Sequence, residues 1–471
     1  MPVFDHFDDD DQYPRPNRRS DDDVQKFREQ LRNGERDVNS GEALEEIIQF
    51  YFEHEQFEEA LAFTERLLVF QPYSSEAWQR KGMILNNLVR YDEALECYEQ
   101  ALSLNPADAD IHVNRAIALD NLNRLDEALE AVEQALAFDP MHEEALFLKG
   151  VALEKQDRFE EACACFRTIL AFNPEDHDTW YELGYCHDFL DQLEESVKCY
   201  EEHLNRNPFN TNAWYNRGIV LNRIGRFAQA IESYELALAI KEDFPAAHYN
   251  MGNAYANLEQ LQEAIKAYKQ TLELDPTDVP AWHNLGNAYE GLGRYQDAIE
   301  SFTTAIFHDD SHYESYFGRG CSYDALEDPK KALSDYVRAL TIFNDYPELW
   351  YARADAEYNL GRYQECLSSY RAVLKLDPNN AEAWFDYGDT LQELGHSGEA
   401  LDALEHCLGL TPSFAPAIYS KGKALLLSGR LQPALACFKE SFGLDPNFRK
   451  SFIAEYPSLA VSKDFSRLLK K

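Results

Sequence analysis

The sequence predicts an all-α solenoid of repeated helix pairs, and three observations carry that prediction. From Gly41 the chain repeats itself every 34 residues, without insertion or deletion, through Phe448. All six tryptophans (Trp78, Trp180, Trp214, Trp282, Trp350 and Trp384) fall at the fourth position of this period. A proline closes the unit at Pro72, Pro106, Pro140, Pro174, Pro208, Pro276, Pro378, Pro412 and Pro446, with Glu242, Asp310 and Asn344 in the three remaining turns. Proline there ends a second helix, because the residue before it is pushed out of helical geometry.

The unit is clearest from Thr211 to Glu242, which reads as two helices with a tight turn at Ile224-Gly225-Arg226. Twelve units start at Gly41, Ser75, Ala109, Glu143, His177, Thr211, Pro245, Val279, Tyr313, Pro347, Ala381 and Ala415, and they are called repeats 1 to 12 below. Four residues after the tryptophan position comes a small residue, such as Gly82, Gly150, Gly252 or Gly286. This spacing puts both on one helix face, where glycine lets the second helix approach. On the second helix a small residue, such as Ala94 or Ala298, precedes a bulky one, such as Tyr98 or Phe302, by four. Big-against-small alternation at helical spacing predicts core packing. Repeat 1 departs from the pattern, with Ile48 for glycine, Thr64 for the aromatic and no tryptophan. A terminal unit is expected to be atypical.

Residues 1–40 differ in kind. Acid runs at Asp8 to Asp11 and Asp21 to Asp23 flank Tyr13-Pro14-Arg15-Pro16-Asn17-Arg18-Arg19. That composition buries too little apolar area to offset ordering entropy, so an acidic mobile tail is expected, with one short helix from Ser20 to Arg32. Beyond Phe448, residues 449–471 are expected to form a C-terminal capping helix, with Phe452, Ile453, Phe465, Leu468 and Leu469 covering the last unit.

A formal net charge of -40 favours solubility and basic or neutral partners, and argues against binding nucleic acid. No positive segment followed by an apolar run opens the chain, and no apolar run reaches membrane-spanning length. Nine cysteines, an odd number, suggest free thiols in a reducing compartment. The expectation is a cytoplasmic protein with no membrane association.

The recurrent pattern, W-x-x-x-G in the first helix and A-x-x-x-Y/F then Ala and Pro in the second, resembles the tetratricopeptide repeat. The resemblance implies antiparallel helix pairs stacked into a right-handed superhelix, with first helices lining a concave groove that holds extended peptides or partner helices. It implies a non-enzymatic scaffold.

If first helices face inward, positions two, five, six, nine, twelve and thirteen point into the groove. Position five is an aromatic stripe that includes Tyr215, Tyr249 and His283. Asn216, Asn250 and Asn284 follow at position six, and Asn253 and Asn287 at position nine. Buried asparagine offers donor and acceptor, so such a row can satisfy the backbone of an extended peptide irrespective of its sequence. It is similar to the asparagine ladder in the repeat region of O-linked N-acetylglucosamine transferases. The alternative is that these residues serve helix packing and solubility. Groove cations are few (Arg80, Lys155, Arg223, Lys423), which argues against a clamp for a terminal carboxylate. Groove acids are many, among them Glu182, Asp188, Glu290, Asp324, Asp355, Asp386 and Asp389. They read either as a solvated face or as a negative field that attracts a basic segment.

Other constellations are weaker. His308-Asp309-Asp310-Ser311-His312 reads as an inter-unit loop, and no metal or cofactor is expected. Cys163 and Cys165, two apart on a helix, diverge by about 200° and cannot chelate one ion locally. No nucleophile–base pair or phosphate loop stands outside what the repeat explains. The sequence therefore points to a scaffold that binds an extended or helical, basic or neutral segment of a protein partner. Three rival readings stand beside it: self-assembly into homo-oligomers, a substrate adaptor for a separately encoded enzyme, and a groove occupied by the chain's own Arg15, Arg18 and Arg19.

Overall fold

In the computed structural model, which describes residues 18–34 and 40–469, the described residues contain helices and no strand. Every first helix begins at its repeat's first residue, as in Gly41–Glu53, Ser75–Asn87 and Val279–Gly291. Every second helix begins sixteen residues later, as in Phe57–Phe70, Tyr91–Leu104 and Tyr295–His308. The chain divides into two compact units, Met1–Gly225 and Arg226–Lys471, with the boundary in the turn of repeat 6. Within each, consecutive helices pack against each other in chain order.

Capping explains the sharp helix starts. Ser40, Ser74, Asp108, Asn210, Asp278 and Asn380 each accept a hydrogen bond from the backbone N–H three residues on, which satisfies a donor the helix leaves open. The turn between the two helices has its own period. One residue per repeat is left-handed: glycine at Gly225, Gly293, Gly361, Gly395 and Gly429, and non-glycine at Glu55, Val89, Asn123, Asp157, Asp191, Glu259 and Glu327.

The core follows from the small-against-large rule. A Cβ on Gly82 would lie 2.4 Å from the Tyr98 ring, and one on Gly286 would lie 2.6 Å from Phe302. The glycine of the first helix is thus the seat of the aromatic of the second, and Tyr98 and Phe302 are fully buried. The tryptophans take a different place. All six are only partly buried, and each donates its indole N–H to the carbonyl six residues earlier, at 2.9–3.1 Å. That carbonyl belongs to the residue closing the preceding repeat, so tryptophan staples the inter-repeat turn. Where repeat 3 has histidine instead, His112 Nε2 lies 3.2 Å from the Pro106 carbonyl.

Two differences from expectation lie at the ends. A helix runs from Arg18 to Arg32, two residues longer than expected at its start. It is not loose, since Val24 and Phe27 are buried in the core of the first unit and Phe27 stacks on Phe50 at 3.7 Å. Arg28 bonds Gln56 at 3.1 Å and pairs with Glu59 of repeat 1. Bulk composition hid the reason, which is that Val24, Phe27 and Leu31 share one face of an otherwise charged helix. The acid run at Asp8 to Asp11 and Arg15 lie outside the described residues. At the other end three short helices, Phe448–Glu455, Pro457–Ala460 and Lys463–Leu469, replace the single one expected. Pro457 and the Val461-Ser462 turn interrupt them. Phe452 and Phe465 are buried against Phe438 and Phe442 of repeat 12, whereas Ile453 is 47% exposed.

Candidate functional site

Within each unit the candidate site is the face formed by its successive first helices. Its aromatic stripe is half-buried. Position-five rings lie against the core ring of their own repeat: Tyr181 on Tyr200 at 5.7 Å, Tyr249 on Tyr268 at 6.0 Å, His283 on Phe302 at 5.5 Å and Tyr351 on Tyr370 at 5.6 Å, whereas Phe385, whose repeat has Leu404 at the core position, meets Phe414. The stripe is as much support as surface.

Position six reaches back to position five of the preceding repeat. Asn216 Nδ2 donates to the Tyr181 hydroxyl at 3.0 Å, and Asn284 Nδ2 to the Tyr249 hydroxyl at 3.1 Å. Tyr351 donates its hydroxyl to Asp386 in the same arrangement. Sequence columns taken singly do not show this contact; pairing residues 35 apart would have.

The predicted asparagine row divides between the two units. Tyr215 and Asn216 belong to the first unit, and Asn250, Asn253, Asn284 and Asn287 to the second. In the second unit Asn253 Oδ1 accepts from Tyr268 at 2.8 Å and from Asn284 at 2.9 Å. Both amide hydrogens of Asn284 are therefore committed to protein oxygens, one to Tyr249 and one to Asn253, which leaves its carbonyl oxygen as the group to offer. Asn287 is exposed and bonds His283 Nε2 at 3.0 Å. His283 Nδ1 lies 3.2 Å from Ser315 Oγ, and that hydroxyl lies 2.9 Å from His312 Nδ1. Because the Ser315 backbone N–H also points at His312 Nδ1, the chain runs in one direction, with Asn287 donating to His283, His283 to Ser315 and Ser315 to His312. Burial, with His312 beside it, lowers His283 to about 4, so the ring is neutral near pH 7. His283, Asn287 and Glu290 line one cleft of about 260 Å³ with Tyr313, Phe317 and Tyr346.

The acids differ between units. In the first, Asp188 is buried and paired with Arg223 one repeat on, and Asp120 is paired with Lys155 at 2.8 Å in the same register. Glu182 lies beside Glu154. Burial, then the Glu182 charge, raises Glu154 well above the carboxylate range, and the Cys186 thiol donates to it at 2.8 Å. In the second unit Glu290, Asp324, Asp355, Asp386 and Asp389 make no ion pair among the described residues. Hydroxyls hold four of them instead: Tyr336 on Asp324 at 2.6 Å, Tyr370 on Asp355 at 2.7 Å, Tyr351 on Asp386, and Ser420 on Asp389 at 3.0 Å. Burial raises Glu290, Asp324 and Asp355, and lifts Asp386 to about 6. These are carboxylates desolvated without a cation, and a positive charge brought to them lowers their free energy.

Family models described as tetratricopeptide repeat or TPR repeat match residues 47–118, 114–177, 177–210, 220–259, 252–293, 279–312, 313–346, 347–380, 369–402 and 415–448. Five of these spans coincide with repeats 5, 8, 9, 10 and 12 as read from the sequence. Among curated proteins no relative matches. Solved structures similar to the chain include YrrB, titled a TPR protein with an unusual peptide-binding site, at 25% identity over 41% of this chain and 98% of that one, with a TM-score of 0.38. The Cut9–Hcn1 hetero-tetramer of the APC/C is similar at 14% identity over 92% of this chain and 96% of that one, TM-score 0.39. The C-terminal part of a TPR repeat-containing protein from Cytophaga hutchinsonii is similar at 18% identity over 50% of this chain and 98% of that one, TM-score 0.45. No helix among the described residues is long and apolar enough to cross a membrane.

Proposed function

Because the chain belongs to the tetratricopeptide-repeat family, we propose that it is a protein-interaction scaffold whose first-helix face in Arg226–Lys471 holds an extended, basic segment of a partner protein. One observation carries the reading, namely the row Glu290, Asp324, Asp355, Asp386 and Asp389, part-buried and in no ion pair among the described residues. Lysine or arginine placed there restores charges that burial disfavours, and partner backbone N–H groups fit the remaining oxygen of Asn284. The twelve-repeat array over residues 41–448, an N-terminal segment over 1–40 and a C-terminal segment over 449–471 are the organisation proposed with it.

Fluorescence anisotropy with a labelled lysine-rich peptide, and with its glutamate counterpart as control, tests the reading. Binding of the basic peptide is expected to weaken as salt rises past about 0.15 M, where the screening length is about 8 Å. It is expected to weaken also in the Asp355→Asn/Asp386→Asn variant. Equal affinity for both peptides, or no loss in the variant, would refute the acidic face as the binding determinant. Mass that grows with protein concentration, with neither peptide bound, would favour self-assembly.

A further inference from the structure

Repeat 5 carries two histidines at positions where several sister repeats carry alanine. Position 27 is Ala101, Ala135, Ala237, Ala305 and Ala339 in five repeats and His203 here. The first position is Ala109, Ala381 and Ala415 in three repeats and His177 here. The fold brings the two rings together, with centroids 5.4 Å apart and nearly perpendicular.

His203 is completely buried. Its Nδ1 lies 2.7 Å from the His177 carbonyl and donates to it, which leaves Nε2 as a bare acceptor. That Nε2 has no hydrogen-bond partner and is shielded from solvent, and the same holds for His177 Nδ1. Asp178 Oδ1 lies 2.9 Å from His177 Nδ1, without the geometry of a hydrogen bond. One ligand atom from each of His177, Asp178 and His203 falls within 4.8 Å of the others. Two orphaned imidazole nitrogens and a carboxylate oxygen thus converge, and an orphaned buried acceptor is costly unless something fills it.

We propose that His177, Asp178 and His203 bind a divalent, imidazole-preferring metal ion of the zinc class, with the remaining coordination positions taken by water. Two neutral imidazoles and one carboxylate are a zinc donor set, and a histidine ligand that gives its other N–H to a backbone carbonyl has the orientation such ligands need. Because His203 Nδ1 is committed as donor to the His177 carbonyl, Nε2 presents the lone pair that a ligand must offer. Bonds of about 2.0–2.1 Å require the three atoms to draw together. The side chains that must move, His177 and Asp178, are 40% and 67% exposed, while buried His203 stays fixed. The surroundings suit a cation on balance. The N-terminus of His177–Phe189 opposes it, but His203 lies in the last turn of Leu193–Arg206, where cations are favoured, and Asp176 adds negative charge. Arg206, the nearest cation on that helix, is already paired with Glu202 and Glu175. The ion would pin the start of the first helix of repeat 5 to the end of its second.

The test uses full-length reduced protein, freed of metal by chelator dialysis, titrated with zinc chloride in a calorimeter. Parallel cobalt(II) spectra separate imidazole coordination from cysteine coordination. Alanine at both histidine positions is native to sister repeats, so His177→Ala and His203→Ala should keep their helical circular dichroism. Each is expected to lose one equivalent of zinc and the zinc-induced rise in melting temperature. Asp178→Asn, which changes only an exposed carboxylate, is expected to weaken binding and serves if either alanine variant unfolds. Absence of zinc binding in the parent protein, or an unchanged stoichiometry in the His177→Ala/His203→Ala double variant, would overturn the site.

Discussion

At the residue scale the informative contacts are those where one side chain is shaped by two repeats. Phe302 is seated between Gly286 of its own repeat and Gly318 of the next, and a Cβ on either would come within 2.6 Å of the ring. Gly286→Ala therefore has nowhere to push the ring, and overpacking of this kind costs about 1–3 kcal/mol. Faster hydrogen exchange in Tyr295–His308 would register it, and unaltered exchange would contradict the wedge. Asp386 supplies a pH test. Burial lifts its carboxyl from 3.8 to about 6 in the folded chain. For an acid with a raised folded pKa, the native state takes up the proton first. The penalty is present above about pH 6 and is relieved as pH falls toward the unfolded value. On acidification through that window the parent should gain stability relative to Asp386→Asn, which has no such proton to take up. A basic ligand reverses the sense, since it favours the ionised carboxylate. Its affinity should rise with pH through about 6, with proton release, and a flat profile for both quantities would remove Asp386 from the site.

At the scale of elements, the turn shows how a period can be legible while its chemistry is not. Helix pairs, their starts and the places of the small and bulky core residues could all be read from columns of the chain aligned with itself, because each depends on residue type at one position. The left-handed residue between the helices could not, since only five of twelve repeats mark it with glycine. Val89 holds that conformation with φ 60 and is 69% exposed, although a β-branched side chain is poorly suited to it. The left-handed region costs an L-residue roughly 1–2 kcal/mol, and the extra freedom glycine has when unfolded returns part of that. Val89→Gly should therefore stabilise repeat 2 by about 1 kcal/mol, a factor of about five in exchange protection over Ser75–Asn87 and Tyr91–Leu104. Loss of protection would show that the Val89 side chain makes a contribution its exposure conceals. The hydroxyl-to-amide contacts of the groove escaped the sequence for a related reason, because Tyr249 and Asn284 meet across a repeat boundary, 35 residues apart.

At the scale of the whole molecule, a repeat stack is a chain of neighbours, and each module is stabilised by the faces on either side. Repeat 1 has the helix Arg18–Arg32 against it and repeat 12 has the segment from Phe448 to Leu469. The sequence marked both segments as unlike the repeats, but composition alone could not say that Phe27 is buried or that Ile453 is not. Local stability should then depend on these contacts in a graded way, in contrast to a globular domain that unfolds as one. Phe452 is the sharpest probe, being fully buried with its ring 4.8 Å from Phe438 and 4.9 Å from Phe465. Replacing it with alanine removes about 3–5 kcal/mol of packing. In a nearest-neighbour stack that loss is felt first in Leu431–Leu444 and decays inward, so amides of Tyr295–His308 should keep their protection. Uniform loss across Arg226–Lys471 would mean that this unit behaves as one cooperative body, and that a partner held along its acidic face would stabilise all of it at once.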